Sequence, residues 1–264
     1  MAILLLLIGY ALAALAGLSL GLIGSGGSIL TIPILHYFMG LSSDEATTHS
    51  LFIVGICALF SLLISKNKPP LKSMLLSAVL PSVVGVLLAR RVVFPAIPAQ
   101  IQLPYTSLMK DQIFMVVFAV LMLFASLKMI RHQTPVGRIS ESQTSGFAFA
   151  LTMLGTGFLT GMLGAGGGFL IIPALVLLLK QKMEDAVITS LAIISLNTLL
   201  GFSSDMVSGI SVNWSLLLLF TLLSIAGAYL GIKLRKSVKP EKLKAGFGWF
   251  ILLTGLAIIL KELL

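Results

Sequence analysis

Charge is what this sequence lacks. Charged residues make up 10% of its 264 positions, and only nine are acidic. A soluble domain carries roughly 25%, so a water-facing surface cannot be built and an ordinary soluble fold is excluded. No Asp, Glu, Lys or Arg falls in the middle of an apolar run, although proton- and sodium-coupled carriers commonly need such intramembrane ions. Cysteine is almost absent as well. The single Cys57 lies in an apolar run, which excludes an internal disulfide, and no Cys/His cluster has metal-ligand spacing. A GxxxxGK[ST] loop is missing, which excludes ATP hydrolysis of that type within the chain. An enzyme would need a nucleophile–base pair or a metal cluster inside the bundle. None is visible, so the chain reads as a non-enzyme without a cofactor, and its short loops offer a soluble partner little docking surface.

Apolar residues are abundant instead. They form 58% of the chain, and mean hydropathy is +1.09. Runs of about 20 apolar residues recur from end to end, the length a hydrocarbon core demands. Lipid is therefore the solvent for most of the protein, which reads as multi-pass in the cytoplasmic (inner) membrane. The net charge of +9 sits in short clusters between runs: Lys66, Lys68 and Lys72; Lys128, Arg131 and Arg138; Lys233 to Lys244. Cytoplasmic loops beside anionic lipid have that pattern. Nucleic-acid binding would need one continuous basic face, so it is rejected. The apolar stretch Ala2 to Leu7 has no basic residue before it and reads as a first helix, not a cleaved signal.

The chain repeats itself. Residues 21–35 read G-L-I-G-S-G-G-S-I-L-T-I-P-I-L, and residues 161–175 read G-M-L-G-A-G-G-G-F-L-I-I-P-A-L. Four glycines, Leu30, Ile32, Pro33 and Leu35 recur identically at an offset of 140 without a gap. The same offset pairs Asp44-Glu45-Ala46 with Glu184-Asp185-Ala186, and Ser50-Leu51 with Ser190-Leu191. Apolar composition alone would not align glycines, a proline and an acidic pair. Each half then divides alike: a long segment (about 2–22; 146–163), a shorter one after the glycines (27–40; 167–179), and three helices (46–65, 71–92, 112–130; 186–204, 212–232, 244–261). Residues 1–130 form the first repeat, 131–145 a cytoplasmic linker, and 146–264 the second repeat. Val93 to Lys110, with three prolines, reads as an ordered non-helical loop.

The basic residues orient the halves. If the long and short segments together cross once, the 18 Lys and Arg split 11 against 7 between the two faces. If they form a hairpin, the second half is inverted and the split is 14 against 4. The positive-inside rule prefers inversion, a familiar plan for secondary transporters. Arg90, Arg91 and Lys110 then lie outside. The expected fold is an all-α integral membrane protein of two inverted repeats. Each repeat holds a glycine-broken helical hairpin plus three transmembrane helices, about 8–10 membrane segments in all.

Broken backbone at membrane depth is tolerated only where protein or a water-filled cavity satisfies it. The breaks Ser25, Gly26, Gly27, Ser28 and Ala165, Gly166, Gly167, Gly168 leave free N–H groups at the start of a helix, where the dipole favours an anion. Two such ends could converge on one anion site. The bland alternative is close helix packing through glycine. Pro33 and Pro173 either kink the short helix or are tolerated membrane prolines. Thr47, Thr48, His49 and Ser50, with Thr189 and Ser190, could cap the next helix or face the ligand. Asn197, whose counterpart is Cys57, is interhelical glue or a ligand contact. His49 could titrate and couple proton flow, or be a satisfied cap. His36 and His132 carry structural readings only, and the acidic pairs belong at helix N-termini.

The two breaks, followed by Ala46…Ser50-Leu51 and Ala186…Thr189-Ser190-Leu191, resemble the sulfite exporter TauE/SafE family over nearly the whole chain. That resemblance implies outward movement of sulfur-containing oxyanions such as sulfite or small organosulfonates. The family's Thr-Ser pair is present as Thr189-Ser190, whereas His49 replaces the threonine in the first half. A secondary exporter of such anions is the leading expectation, with a small anion and membrane lipid as partners and a homodimer as one open assembly. The alternative is a proton-coupled importer using His49.

Overall fold

The computed structural model describes residues 2–23, 29–65, 72–98, 100–103, 106–131, 146–164, 166–167, 171–172, 174–175, 183–234 and 240–263. The first break, Gly24 to Ser28, and the linker, 132–145, lie outside the described residues. Nine helices are named here: α1 (Ala2–Ile23), α2 (Thr31–Tyr37), α3 (Ser43–Ile64), α4 (Lys72–Leu88), α5 (Lys110–Arg131), α6 (Gly146–Leu163), α7 (Met183–Val207), α8 (Trp214–Leu234) and α9 (Pro240–Leu263). Among the described residues, six stretches are long and apolar enough to cross a bilayer: those of α1, α3, α4, α6, α7 and α8. The long apolar side chains they expose, Leu4, Leu80, Leu151 and Leu222 among them, suit a lipid boundary.

Local sequence sets the helix ends. α3 starts with a capping box: Ser42 Oγ accepts the Glu45 N–H, and the Glu45 carboxylate accepts the Ser42 N–H at 3.1 Å. Capping therefore belongs to Ser42, and Thr47 to Ser50 lie about one turn inside the helix. The acidic pairs do sit in first turns, Asp44 and Glu45 in α3, Glu184 and Asp185 in α7. Pro33 falls in the first turn of α2, where a missing N–H breaks no hydrogen bond, so no kink is needed. Pro173 lies outside the described residues. α2 is held at its far end by Tyr37, whose hydroxyl donates to Glu262 of α9 at 2.7 Å.

The stretch after α4 differs from the expected loop. A π-helical turn, Ala89–Val93, and one more helical turn, Phe94–Ala96, extend α4. An antiparallel hairpin then follows, Gln100–Leu103 (β1) with Thr106–Met109 (β2), Gln100 opposite Met109. Its strands are the exception to helix among the elements of the described residues.

α3 and α7 form the seam of the bundle. Of the candidate spans, α7 is 78% buried and α3 61%, against 33–44% for the others. Thr48 meets Asp205, Phe52 stacks near Phe202, and a Cβ on Gly55 would touch Thr198 and Leu199. Residue numbers rise on one helix as they fall on the other, so these counterpart helices run antiparallel. α1 packs along α8 and α4 along α6, each pair parallel: Gly17 lies on Ser224 and Gly21 on Ala228, while Gly157 lies on Ser82 and Gly161 on Val86 and Ala89. α5 packs on α9. Each of these helix pairings between the halves thus recurs when the halves are exchanged. The helix directions also put Ile64 and Leu234, which precede two of the basic clusters, at one face, called here the basic face.

Glycine makes the parallel pairs possible, because a side chain on Gly17, Gly157 or Gly227 would strike the facing backbone. Gly157→Leu should lower the unfolding free energy by at least about 1–3 kcal/mol through overpacking. Gly146→Ala, with no atom within 4 Å of its Cβ, should cost nothing measurable; thermal unfolding in detergent compares the two.

Candidate functional site

The second glycine break is built against the other half of the chain. α6 stops at Leu163 because Gly164, Gly166 and Gly167 take φ of 65°, 71° and 61°, a left-handed conformation that side chains disfavour. Gly164 N–H still donates to Thr160 O at 2.8 Å, while its carbonyl accepts the Ser50 hydroxyl at 2.8 Å. A Cβ on Gly164 would lie 2.8 Å from Thr47 O, and one on Gly167 would overlap Thr160 Oγ1. The break is therefore seated on the first turns of α3. Gly166 and Gly167 are buried in it. Ala165 and Gly168 lie outside the described residues, as do Ser25, Gly26, Gly27 and Ser28.

Gly21, which opens the first motif, lies at the other end of the seam. It lines a cavity together with Ser61 of α3 and Val187, Ile188 and Leu191 of α7. Ser50, bonded to Gly164, and Ser61, beside Gly21, are separated by roughly 16 Å along α3 at 1.5 Å per residue. Gly21 and Gly164, three residues apart in the shared motif, thus flank opposite ends of the seam. At both motifs the leading glycine, Gly21 or Gly161, serves helix packing, which is the bland reading; in the second motif the positive φ belongs to the glycines that follow.

Beside Gly164 lies an ion pair that sequence reading missed. Arg90 Nη1 is 3.3 Å from Asp205 Oδ2, and both side chains are almost wholly buried. Arg90 Nη1 also donates to Thr47 Oγ1 at 3.2 Å, Thr48 donates to Asp205 at 2.8 Å, and the guanidinium lies 4.7 Å from the centroid of the Phe94 ring. Arg90 Nε and Nη2 find no acceptor among the described residues. Arg90 lies at the end away from the basic clusters, where the charge count puts it, and its burial in a helix against Asp205 is what the sequence did not show. Hydropathy ends a segment at its first charges. The helix instead continues, because Asp205 on a facing helix neutralises the guanidinium; unpaired, that charge would be prohibitively costly in the interior. Arg90 sits in the π-helical turn, a distortion found frequently at functional sites. Near the same end, Arg91 donates to Ser204 at 3.1 Å and Lys110 pairs with Asp44 at 2.9 Å.

The remaining candidate residues have definite surroundings. His49 is engaged at both ring nitrogens: the Asn213 N–H donates to Nε2 at 3.2 Å, and Nδ1 lies 2.7 Å from Glu45 O. Because Asn213 supplies a proton, Nε2 is an acceptor and Nδ1 carries the hydrogen, which fixes a neutral ring that ties α3 to the start of α8. Ser190 donates back to Val187 O at 2.7 Å. The Thr189 hydroxyl is buried and unpartnered among the described residues. Asn197 Oδ1 lies 3.1 Å from Ser82 Oγ, leaving its amide NH2 buried and unpaired. The structure joins Ser50 to the second break and Asn197 to α4, and it sets Thr189 next to Ile188 at the cavity end.

Membrane-spanning helices, a backbone break at membrane depth and a buried ion pair at one seam are the features of a multi-pass membrane transporter. The chain belongs to the sulfite exporter TauE/SafE family, whose sequence model matches residues 7–258, and it is a multi-pass protein of the cell membrane. It is 29% identical over 254 residues to a "Probable membrane transporter protein" of Xylella fastidiosa (strain Temecula1), covering 93% of this chain and 91% of that protein. It is 38% identical over 102 residues to "Probable membrane transporter protein YunE" of Bacillus subtilis (strain 168), covering 39% of this chain and 34% of that one. No solved structure matches.

Asp205→Ala strands a buried guanidinium and should cost about 3–5 kcal/mol, whereas replacing Arg90 and Asp205 together by leucine should be much closer to neutral. Thermal unfolding of the singles and the double separates these outcomes; a loss in the double equal to the sum of the two single losses would mean the pair is not coupled.

Proposed function

We propose that this chain is a secondary exporter of small sulfur-containing oxyanions, sulfite or organosulfonates, working as two inverted repeats. Residues 1–130 and 146–264 form the repeats, and 131–145 join them on the cytoplasmic side. The antiparallel crossing of the counterpart helices α3 and α7 supports inversion, because a two-fold axis in the membrane plane reverses the direction of each helix. The basic clusters that follow Ile64 and Leu234 favour a cytoplasmic assignment for that face.

One observation carries the transport reading: a glycine break of one half is seated on the first turns of the other half's seam helix. Gly164 to Gly168 with Thr47 to Ser50 form one half-site. By duplication, Ser25 to Ser28 with Thr189 and Ser190 form the second. Asn197, with its unpaired amide, faces α4 between them. Glycine allows an oxyanion close approach to backbone N–H groups, and the Thr189 hydroxyl, unpartnered among the described residues, adds a donor to an uncharged cradle, whereas the Ser50 and Ser190 hydroxyls must first release Gly164 O and Val187 O. Such a cradle suits an anion that must leave again.

The inside-negative potential drives export, at roughly 2.3 kcal/mol per charge per 100 mV, so a divalent anion needs no coupling ion. Proton-coupled import through His49 is disfavoured by the full engagement of its ring.

In proteoliposomes, sulfite efflux should accelerate when an inside-negative potential is imposed; efflux indifferent to potential would contradict electrogenic export. Gly167→Val should abolish that flux while membrane insertion and yield persist, because the added side chain meets Thr160. His49→Gln should leave the pH profile of flux unchanged, and a displaced profile would restore the proton-coupled reading.

A further inference from the structure

The two ends of the seam are chemically unequal although the sequence duplicates them. At the basic-face end lies a cavity of about 60 Å3, lined by Leu20, Gly21, Ser61, Ser65, Val187 and Ile188, with Leu191 and Ile232 closing it. Ser61 Oγ is buried there without a hydrogen-bond partner among the described residues. Exchanging the halves converts Ser61 into Gly201, Ser65 into Asp205, Val187 into Thr47, Ile188 into Thr48 and Leu191 into Leu51, all at the offset of 140. Ile232 becomes Arg90, because Ser224 and Gly227 of α8 pack as Ser82 and Gly85 of α4 do. Where one end holds a cavity, its image holds the Arg90–Asp205 ion pair with Thr47 and Thr48 bonded to it. The image residues are packed shut: Thr47, Thr48 and Leu51 are fully buried, and Gly201 would meet Leu51 and Val86 at 3.1–3.2 Å.

We infer that Arg90 and Asp205 form the closed gate of the face opposite the basic one, and that the cavity at Ser61 is the corresponding half-site in its open state. The chain is thus captured open toward the basic face, with the ion pair as the specific lock. This inference rests on the transport reading. Opening the far face requires the pair to separate, and Nε and Nη2 of Arg90, unpartnered among the described residues, are then the first donors an entering or leaving oxyanion meets. The basic-face end has serine and isoleucine at the equivalent places, so an ion pair of this kind cannot form there.

The experiment exchanges the two chemistries. In a Cys57→Ala background, a membrane-impermeant thiol reagent is applied from either face to Ser61→Cys or to Gly201→Cys. With the native pair present, Ser61→Cys should react from the basic face and Gly201→Cys should be unreactive from both. Arg90→Ile with Asp205→Ser copies the cavity onto the far end, and Gly201→Cys should then gain reactivity from that face. Ser65→Asp with Ile232→Arg transplants the lock, and Ser61→Cys should lose its reactivity. Neither double variant leaves a lone buried charge, and the transplant decides the matter if the first fails to insert. An inserted, monodisperse variant whose labelling does not change in the stated direction overturns the gate. Labelling needs no substrate, so changed accessibility without sulfite flux would refute the substrate reading and keep the gate, whereas sulfite flux with unchanged accessibility would do the reverse.

Discussion

Inside lipid, every charge and broken backbone group must find its partner within the protein, and this chain meets that demand at one seam. The antiparallel crossing of α3 and α7 brings Asp205 within reach of Arg90 and Ser50 within reach of Gly164. Both contacts join one half of the chain to the other. Neither half could bury these groups alone, because each supplies one partner and lacks the second. The close approach of α1 to α8 and of α4 to α6 follows from the same constraint. With little hydrophobic gain available between helices in a membrane, association leans on tight packing, and glycine against backbone supplies it.

Duplication explains the symmetry of the packing, and departures from it explain the chemistry. Ser65 and Asp205 occupy equivalent places, as do Ile232 and Arg90. Of the differences between the two ends these two alone change charge; with Thr47 and Thr48 in place of Val187 and Ile188, they separate an uncharged cavity from a charged plug. A transporter built from inverted repeats is expected to have two related conformations that exchange the roles of its halves. An ion pair on one side only would bias that exchange, favouring the conformation in which the pair is made.

Much of this architecture was legible in the chain. The duplicated glycine motif located the second break, the first lying outside the described residues, and the distribution of lysine and arginine indicated which helix ends share a face. Ser50, one of the candidate residues, lies against the second break. The Arg90–Asp205 pair was not legible, because the two residues lie 115 positions apart at the margins of apolar runs, where a charge reads as the start of a loop. One signal was available: Arg90 and Asp205 are opposite charges in register with an uncharged Ile232 and Ser65, a break in the repeat that self-alignment exposes. The capping role given to Thr47 to Ser50 failed because Ser42 and Glu45, four residues or so upstream, already form a complete box. His49 looked titratable by residue type, yet its role is set by Asn213, a loop residue that no local pattern connects to it.

The direction of the α3–α7 crossing decides between inverted and parallel halves, and disulfide cross-linking reads it directly. In a Cys57→Ala background, cysteines replacing Gly55 and Leu199, where a Cβ at position 55 would lie 2.9 Å from Leu199 Cγ, should form a rapid disulfide. Cysteines replacing Phe52 and Ala192, which share one register position at the offset of 140, should not. A rapid bond in the second pair and none in the first would mean that the counterpart helices run in the same direction, and the inverted architecture would be wrong.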